Sequence, residues 1–120
     1  MIDGKNIGHL ATLMRDGSPQ VTPVWVDREG DSILVNTLEG RVKPTNVRRD
    51  KRVAISIHSQ DNPYQMVTFR GKVVTITNDG AEAHVDKMMK KYTGQDKYAW
   101  GKPGDKRVII KIEALHMNSQ

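Results

Sequence analysis

Hydrophobic and polar residues alternate along most of the chain, and short polar turns interrupt the alternation repeatedly. A period of two is typical of β-strands with one buried face. The first two alternating runs, His9–Met14 and Gln20–Val26, are joined by Arg15–Ser18, whose Asp-Gly pair favours a hairpin because glycine adopts positive φ without a Cβ clash. A second turn at Asp27–Gly30 leads into a strand over Ser32–Thr37. The first 37 residues are therefore predicted to form a three-stranded meander.

The middle of the chain is predicted to contain a short helix between strands. The helix runs from about Val42 to Asp50, and Pro44 falls in its first turn, where the missing N–H of proline costs no hydrogen bond. A strand over Arg52–His58 follows. After a turn, residues 64–78 are long enough for a bent strand, in which Gly71 is predicted to form a bulge or kink.

The last third of the chain is predicted to form a helix, a loop and a final strand. The helix begins at Asn78-Asp79-Gly80 and ends at Thr93-Gly94, the polar loop covers residues 94–105, and the strand Arg107–Ile112 is rich in β-branched residues. One helical stripe is predicted to be buried and three lysines to face water: Ala81, Val85, Met88, Met89 and Tyr92 against Lys87, Lys90 and Lys91. Six or seven antiparallel strands with two helices predict a mostly β fold that closes into a barrel, since closure removes unpaired strand edges.

Length and composition favour one domain over residues 1–120, because no linker or composition break divides the chain. The absence of cysteine excludes disulfides, thiolate metal sites and cysteine nucleophiles. No apolar run of about 18 residues and no basic segment followed by an apolar one is present, so we expect no membrane span, no signal peptide and a cytoplasmic location. A chain of this size has little room for a deep pocket of its own, and we expect a second subunit to contribute walls.

The positive charge of the chain is concentrated in one segment. Six of the 19 Lys/Arg residues and one of the 14 Asp/Glu residues fall within residues 41–52, so this segment accounts for the whole excess of five. A local excess indicates an anion site more than a surface that coats nucleic acid. Aromatic residues are also missing from the segment, and we therefore predict no nucleic-acid partner.

The segment VNTLEGRVKPTNVRRD, residues 35–50, has the order expected of a phosphate site. A strand ends at Asn36-Thr37, a glycine loop follows, and Arg41 and Lys43 arrive at the start of a helix. A hydroxyl, a guanidinium, an ammonium and free N–H groups at a helix N-terminus are the donors that a phosphate needs. The alternative is that these basic residues form only a solvated surface. The nucleotide-binding pattern GxxxxGK[ST] is absent, so triphosphate hydrolysis has no support.

Other conspicuous residues have structural interpretations. His9, His58, His84 and His116 are too widely spaced for a local metal motif, so no metal site is predicted and surface or strand-end positions are expected. Trp25 lies in an alternating strand, where packing or a dimer contact is favoured over stacking on a ring system. No Ser/His/Asp set is apparent, and no catalytic side chain is assigned. The lack of acid, base and nucleophile motifs is typical of enzymes whose cofactor carries the chemistry.

A family resemblance extends from Ile7 to Leu115. The blocks HLATLMRDGSPQVTPVWV, ILVNTLEGRVKPTNVRRDKRVAISI, NPYQMVTFRGKV, KYTGQDKYAW and RVIIKIEAL, in this order and spacing, resemble the pyridoxamine 5′-phosphate oxidase-like superfamily. The branch most similar is that of the small flavin and deazaflavin oxidoreductases. The resemblance implies an antiparallel split β-barrel of the FMN-binding type, with deazaflavin coenzyme F-420 as the cofactor and FMN as the alternative.

The resemblance also implies a set of cofactor-binding residues. Arg41 and Lys43 match the basic pair that holds the cofactor phosphate, Thr37 matches a hydroxyl at the preceding strand end, and Arg48 and Arg49 are expected near the coenzyme tail. The strand from Gln20 to Trp25 matches the one whose backbone lies along the tricyclic ring. The complete implied set is Gln20, Thr22, Pro23, Val24, Trp25, Asn36, Thr37, Arg41, Val42, Lys43, Asn46 and Arg48.

The family further implies a homodimer with a site at each subunit seam. Partner-chain contributions are expected from Tyr64, Arg70, Tyr98 or Trp100. The implied activity is hydride transfer from the reduced deazaflavin to a small or planar organic substrate, and a cofactor carrier without enzymatic activity is a further alternative. Two features depart from the family: the N-terminal helix of many relatives is short or missing, which leaves open whether a lid forms, and the Arg/His set that grips pyridoxine phosphate is not found.

Overall fold

The computed structural model describes residues 1–119, and it is mostly β, as the alternating pattern predicts. The alternating runs become strands because β-branched and aromatic residues pack well on a half-buried pleated surface. The seven strands are β1 (Gly8–Leu13), β2 (Pro19–Val24), β3 (Asp27–Glu29), β4 (Ser32–Leu38), β5 (Arg52–His58), β6 (Met66–Thr77) and β7 (Arg107–Ser119). The helices are α1 (Val42–Arg49) and α2 (Ala81–Thr93). None of the helices formed by residues 1–119 is long and apolar enough to span a bilayer.

The strands form one antiparallel sheet in the order β2-β1-β5-β6-β7-β4-β3. β2 and β3 lie at opposite edges, although only Trp25 and Val26 separate them in sequence. Three peptide units span at most about 11 Å, so the sheet must curl until its two edges approach each other. The curled sheet is the predicted barrel. The three-stranded meander is wrong in one respect: its third strand, β4, does not pair with β2 but lies between β3 and β7.

The interior of the curled sheet is filled by aliphatic residues from every second strand position. Each fully buried aliphatic side chain contributes about 1.5–3 kcal/mol, so this cluster dominates the stability of the fold. α2 packs outside the sheet across β7 and β4, and its predicted stripe is buried at Ala81, Val85, Met88 and Met89. The interior cluster is Leu10, Val26, Ile33, Val35, Val47, Val53, Ile55, Ile57, Val67, Val73, Ile110 and Ile112.

Gly71 marks the bend of β6, as predicted from the sequence. The register between β6 and β7 shifts between Arg70 and Gly71, and a Cβ added at Gly71 would clash with the carbonyl oxygen of Glu113. Glycine is therefore needed because the two backbones approach too closely for a side chain. Gly94 ends α2 as predicted, with φ of 83° and its N–H donating to the carbonyl of Lys90.

Three further details differ from the sequence expectation. β7 continues to Ser119 rather than ending at Ile112, because its backbone stays paired with β6 although the side chains become exposed. Asp27–Glu29 forms a short strand instead of a turn. Lys91 does not face water: its ammonium donates to the carbonyls of Ile2 (2.6 Å) and Val26 (2.7 Å).

Candidate functional site

A cleft of about 330 Å³ lies where the end of β4, the start of α1, α2 and the loop before β7 meet. Seven residues of the predicted set line it, which brings the end of β2 together with the basic start of α1. Its walls are formed by Ile7, Pro23, Val24, Trp25, Asn36, Thr37, Leu38, Arg41, Lys43, Val85, Met88, Tyr98, Trp100 and Arg107.

Arg41 and Lys43 form the cationic end of this cleft. Arg41 is the N-cap residue of α1 and has extended backbone angles, and Lys43 is the second residue of the helix. Burial, together with the nearby Arg41 charge, holds the pKa of Lys43 below its usual value. Neither residue takes part in any ion pair within residues 1–119, and the first turn of α1 contains no acidic residue. This end of the cleft is thus suited to an anion.

Much of the remaining basic segment is already occupied by protein groups. Arg48 makes a bidentate ion pair with Glu39, and Arg52 makes one with Asp50. Arg49 donates to the carbonyl of Leu13 and to the side chain of Asn46. Three of the six cations in the segment therefore have partners in the protein, and Arg41, Lys43 and Lys51 are left for a ligand.

Five residues of the predicted set do not line the cleft, and their contact with a cofactor stays a prediction. Val42 is exposed, and Asn46 is buried with its amide donating to the hydroxyl of Thr12 (3.0 Å) and the sulfur of Met14 (3.3 Å). These bonds give Asn46 a structural role that attaches α1 to β1. The other three residues outside the cleft are Gln20, Thr22 and Arg48.

Gln20 and Thr22 share one face of β2, with Val24, by the alternation of the strand. The side-chain oxygens of Gln20 and Thr22 are buried and have no hydrogen-bond partner among residues 1–119. A buried acceptor without a partner costs about 1–3 kcal/mol. These orphaned oxygens beside the cleft-lining end of β2 fit a strand that receives hydrogen bonds from a bound polar ring, provided that their side chains rotate to reach it.

Four aromatic side chains, Trp25, Tyr92, Tyr98 and Trp100, pack together as an aromatic wall of the cleft. Trp25 stacks on Tyr92 with ring centroids 5.2 Å apart and an angle of 6°, and Tyr98 meets Trp100 edge-on at 5.6 Å. Trp25, Tyr98 and Trp100 line the cleft. Trp25 therefore packs against other aromatic residues, as the sequence predicted, and also lines the cleft.

The residues expected from a partner chain divide into two groups. Tyr98 and Trp100 lie on the cleft of their own chain, whereas Tyr64 and Arg70 do not line it. Tyr64 is largely exposed, and Arg70 lies on a separate groove on the outer face of the sheet. A contribution of Tyr64 and Arg70 to the site of a second subunit stays a prediction.

Trp25 and Val26 form the crossover between β2 and β3, and α2 holds this crossover in place. The hydroxyl of Tyr92 accepts from the N–H of Val26 (3.0 Å) and donates to the carbonyl of Asn6 (2.8 Å). Burial raises the pKa of this hydroxyl, and burial also lowers the pKa of the neighbouring Lys91 ammonium. The wall and the N-terminal segment are therefore held to α2 by hydrogen bonds.

A buried polar network behind the cleft was not predicted from the sequence. The ring of His84 lies between Asn36 and Asp27, with 3.0 Å from Nδ1 to the Asn36 Nδ2 and 3.0 Å from Nε2 to the Asp27 Oδ2. Lys87 binds the same Asp27 oxygen at 3.1 Å. The expectation of a surface or strand-end position is wrong for His84, which is buried on the same helical stripe as Met88. The i, i+4 spacing of these two residues is the signal that identifies it.

Burial and the network together set the protonation of these groups. Burial lowers the pKa of His84, and because Asn36 donates to Nδ1, the neutral ring carries its proton on Nε2 and donates to Asp27. Burial alone would raise the pKa of Asp27, but hydrogen bonds from the Arg28 N–H, Lys87 and His84 bring it below its usual value. Within residues 1–119 no cluster of three metal-ligating side chains occurs, so this network is a hydrogen-bonded structure.

Comparisons with known proteins show which proteins this chain is similar to. A family model described as pyridoxamine 5′-phosphate oxidase matches residues 1–120. A solved structure named F420 reductase is 31% identical, with a TM-score of 0.86, covering 99% of this chain and 94% of that one. A conserved hypothetical protein from Mycobacterium tuberculosis is 27% identical, with a TM-score of 0.71 and coverages of 94% and 75%. A putative pyridoxamine 5′-phosphate oxidase from Listeria innocua, 18% identical with a TM-score of 0.70 and coverages of 94% and 86%, shares the fold.

Proposed function

The chain belongs to the pyridoxamine 5′-phosphate oxidase family, and we propose that it is an oxidoreductase that transfers hydride from reduced coenzyme F-420 to a small or planar organic substrate. The observation that carries the proposal is the cleft that Arg41 and Lys43, which have no ionic partner within residues 1–119, share with Trp25, Tyr98 and Trp100. The 31% identity to a protein named F420 reductase, over nearly the whole of both chains, supports the choice of cofactor.

In this proposal each group of cleft residues has one task. Arg41, Lys43 and the N-terminus of α1 bind the cofactor phosphate, because charge-assisted hydrogen bonds are the strong ones and α1 presents free N–H groups. The end of β2, with Pro23 and Val24, lies along the ring system. The bound deazaflavin supplies the hydride, and the protein contributes orientation and exclusion of water.

FMN is the alternative cofactor, and the ion pairs within the basic segment are an argument in its favour. A long anionic tail needs free cations, but Arg48, Arg49 and Arg52 are held by protein groups. Arg41 and Lys43 suffice for one phosphate monoester. A third candidate is a carrier that binds the cofactor without turnover. Only a turnover assay distinguishes it from an F-420-dependent or FMN-dependent oxidoreductase.

We also propose that two copies of a single-domain subunit pair through the outer face of the sheet. Ala11, Val21 and Ala54 lie side by side on three neighbouring strands, and Val21 is 62% exposed. A largely apolar groove of about 470 Å³, lined in part by Leu13 and Leu115, extends this surface. Light scattering of the purified protein tests this assembly: a mass of two chains is expected, and a monomer at micromolar concentration contradicts it.

The experiment that tests the proposed function is a pair of fluorescence titrations followed by turnover assays. Purified protein is titrated with F-420 and with FMN, and the reduced form of each is then mixed with a panel of enones, quinones and tetrapyrroles. We expect tighter binding of F-420 and oxidation of its reduced form by at least one acceptor class. Tighter FMN binding would favour the flavoprotein, binding without turnover would favour the carrier, and binding of neither cofactor would refute the proposal.

A further inference from the structure

Arg107 is a third cation of the cleft, and neither the sequence pattern nor the proposed phosphate site uses it. It is the first residue of β7 and pairs with Leu38, the last residue of β4. Its half-buried side chain lines the cleft beside Tyr98. The position of Arg107 is thus set by the register of two central strands and not by a loop.

The guanidinium of Arg107 is held in one orientation from two sides. Its Nε donates to the Asn36 Oδ1 at 2.7 Å, and its central carbon lies 5.0 Å from the ring centroid of Tyr98. The amide of Asn36 cannot turn over, because its Nδ2 donates to the carbonyl of Ala81 (2.9 Å) and lies 3.0 Å from the Nδ1 of His84. Since Asp27 fixes the ring of His84 in turn, the buried network determines the direction in which Arg107 points.

The terminal nitrogens of Arg107 are available for a ligand. Within residues 1–119 they donate no hydrogen bond to the protein, and no carboxylate forms an ion pair with this side chain. Glu82 approaches only the backbone N–H of Arg107, at 3.4 Å. A guanidinium that is already oriented and retains free donors loses little entropy when it binds a planar oxyanion in bidentate fashion.

The surroundings of Arg107 indicate what carries that oxyanion. The guanidinium lies over the ring of Tyr98, which meets Trp25 and Trp100 edge-on, and such rings favour flat, conjugated molecules through stacking. We propose that Arg107 is a specificity residue that binds a carboxylate on a planar aromatic substrate stacked against Trp25, Tyr98 and Trp100. This inference rests on the proposed function, in which Arg41 and Lys43 already neutralise the phosphate of the cofactor.

Paired probes that differ only in charge test the role of Arg107. Binding of 2-naphthoate and of the neutral 2-naphthamide is measured by calorimetry, in protein loaded with oxidised F-420 and in protein without it. We expect the carboxylate to bind about 10- to 100-fold more tightly than the amide, as a bidentate charge-assisted contact implies. Arg107→Gln should abolish this preference and leave the affinity for the amide within twofold.

Two further variants keep the test specific. Lys106→Gln removes the same charge from the adjacent residue, whose side chain does not line the cleft, and should retain the preference for 2-naphthoate. Arg107→Lys keeps the charge but loses the planar fork, and should give an intermediate preference even if the glutamine variant folds poorly. Equal binding of the two probes to the unaltered protein would overturn the inference.

Cofactor affinity separates this inference from the proposed function. If Arg107→Gln weakens F-420 binding tenfold or more, the oxyanion recognised by Arg107 belongs to the cofactor and the inference is overturned. Unchanged F-420 affinity with a lost carboxylate preference supports it. A protein that binds neither F-420 nor FMN refutes the proposed function, while the preference for 2-naphthoate in the unloaded cleft still tests Arg107.

Discussion

Removing both cations from the phosphate end of the cleft should weaken cofactor binding far more than it affects folding. In the Arg41→Ala, Lys43→Ala variant, two charge-assisted contacts disappear, each worth roughly 1.5–3 kcal/mol. Lys43 belongs at the upper end of this range, because its ammonium is half buried, and Arg41 belongs at the lower end, because it is exposed. The expected loss of affinity for F-420 is therefore about 10²- to 10⁴-fold.

The free energy of unfolding of the same variant should not decrease. Burial disfavours the charge of Lys43, and the neighbouring Arg41 repels it, so both effects lower the pKa of Lys43. Because neither cation has an ionic partner within residues 1–119, their removal leaves no carboxylate unpaired. The free energy of unfolding in urea should be unchanged or higher, as is common when a functional charge is removed.

A matched control makes the binding result specific. Lys5→Ala with Arg15→Ala removes the same charge from two exposed residues outside the cleft. Fluorescence titration with F-420 should give this control the affinity of the unaltered protein at physiological salt, where charges beyond about 8 Å are screened. If Arg41→Ala with Lys43→Ala binds F-420 within twofold of the control, the phosphate assignment is refuted.

Three further predictions concern the framework that holds the site. Gly71→Ala should lower the free energy of unfolding by more than about 1 kcal/mol in urea titrations, because the added methyl group meets the carbonyl of Glu113; an unchanged midpoint contradicts the bulge argument. The folded-state pKa of His84 lies below its usual 6.5, so the unfolded chain binds more protons and stability should fall as the pH drops below 6.5; His84→Gln should remove this slope, and a slope equal to that of the unaltered protein contradicts it. Tyr92→Phe leaves a buried N–H without its acceptor and should cost about 1–3 kcal/mol in unfolding free energy, whereas a neutral effect shows that the crossover has other support.

The sequence predicted the parts of the fold that depend on local spacing. The strand alternation, the Gly71 bulge and the buried stripe of α2 are all visible in residues close together in the chain. The order of the strands in the sheet could not be predicted in this way, because the pairing of β4 with β7 joins segments about 70 residues apart. The three-stranded meander was wrong for the same reason: β4 pairs with β7, from the far end of the chain, and not with β2, which precedes it.

In the candidate site, too, residues close together in the sequence could be predicted, whereas contacts between distant segments could not. Arg41 and Lys43 were predicted because they lie together in one segment, and the structure places both on one cleft. Arg107 was missed because its link to Asn36 depends on strand register and on the packing of α2. Arg48 was included because it matches the basic helix end of the family, and its ion pair with Glu39 is a tertiary contact that the resemblance does not reveal.

The most direct test of the central claim is a crystal structure of the protein with coenzyme F-420 bound. We expect the coenzyme phosphate within hydrogen-bonding distance of the Arg41 guanidinium and the Lys43 ammonium, at the N-terminus of α1, with the ring system against the end of β2. Coenzyme density elsewhere on the molecule, with both cations turned towards solvent, would contradict the assignment of this cleft.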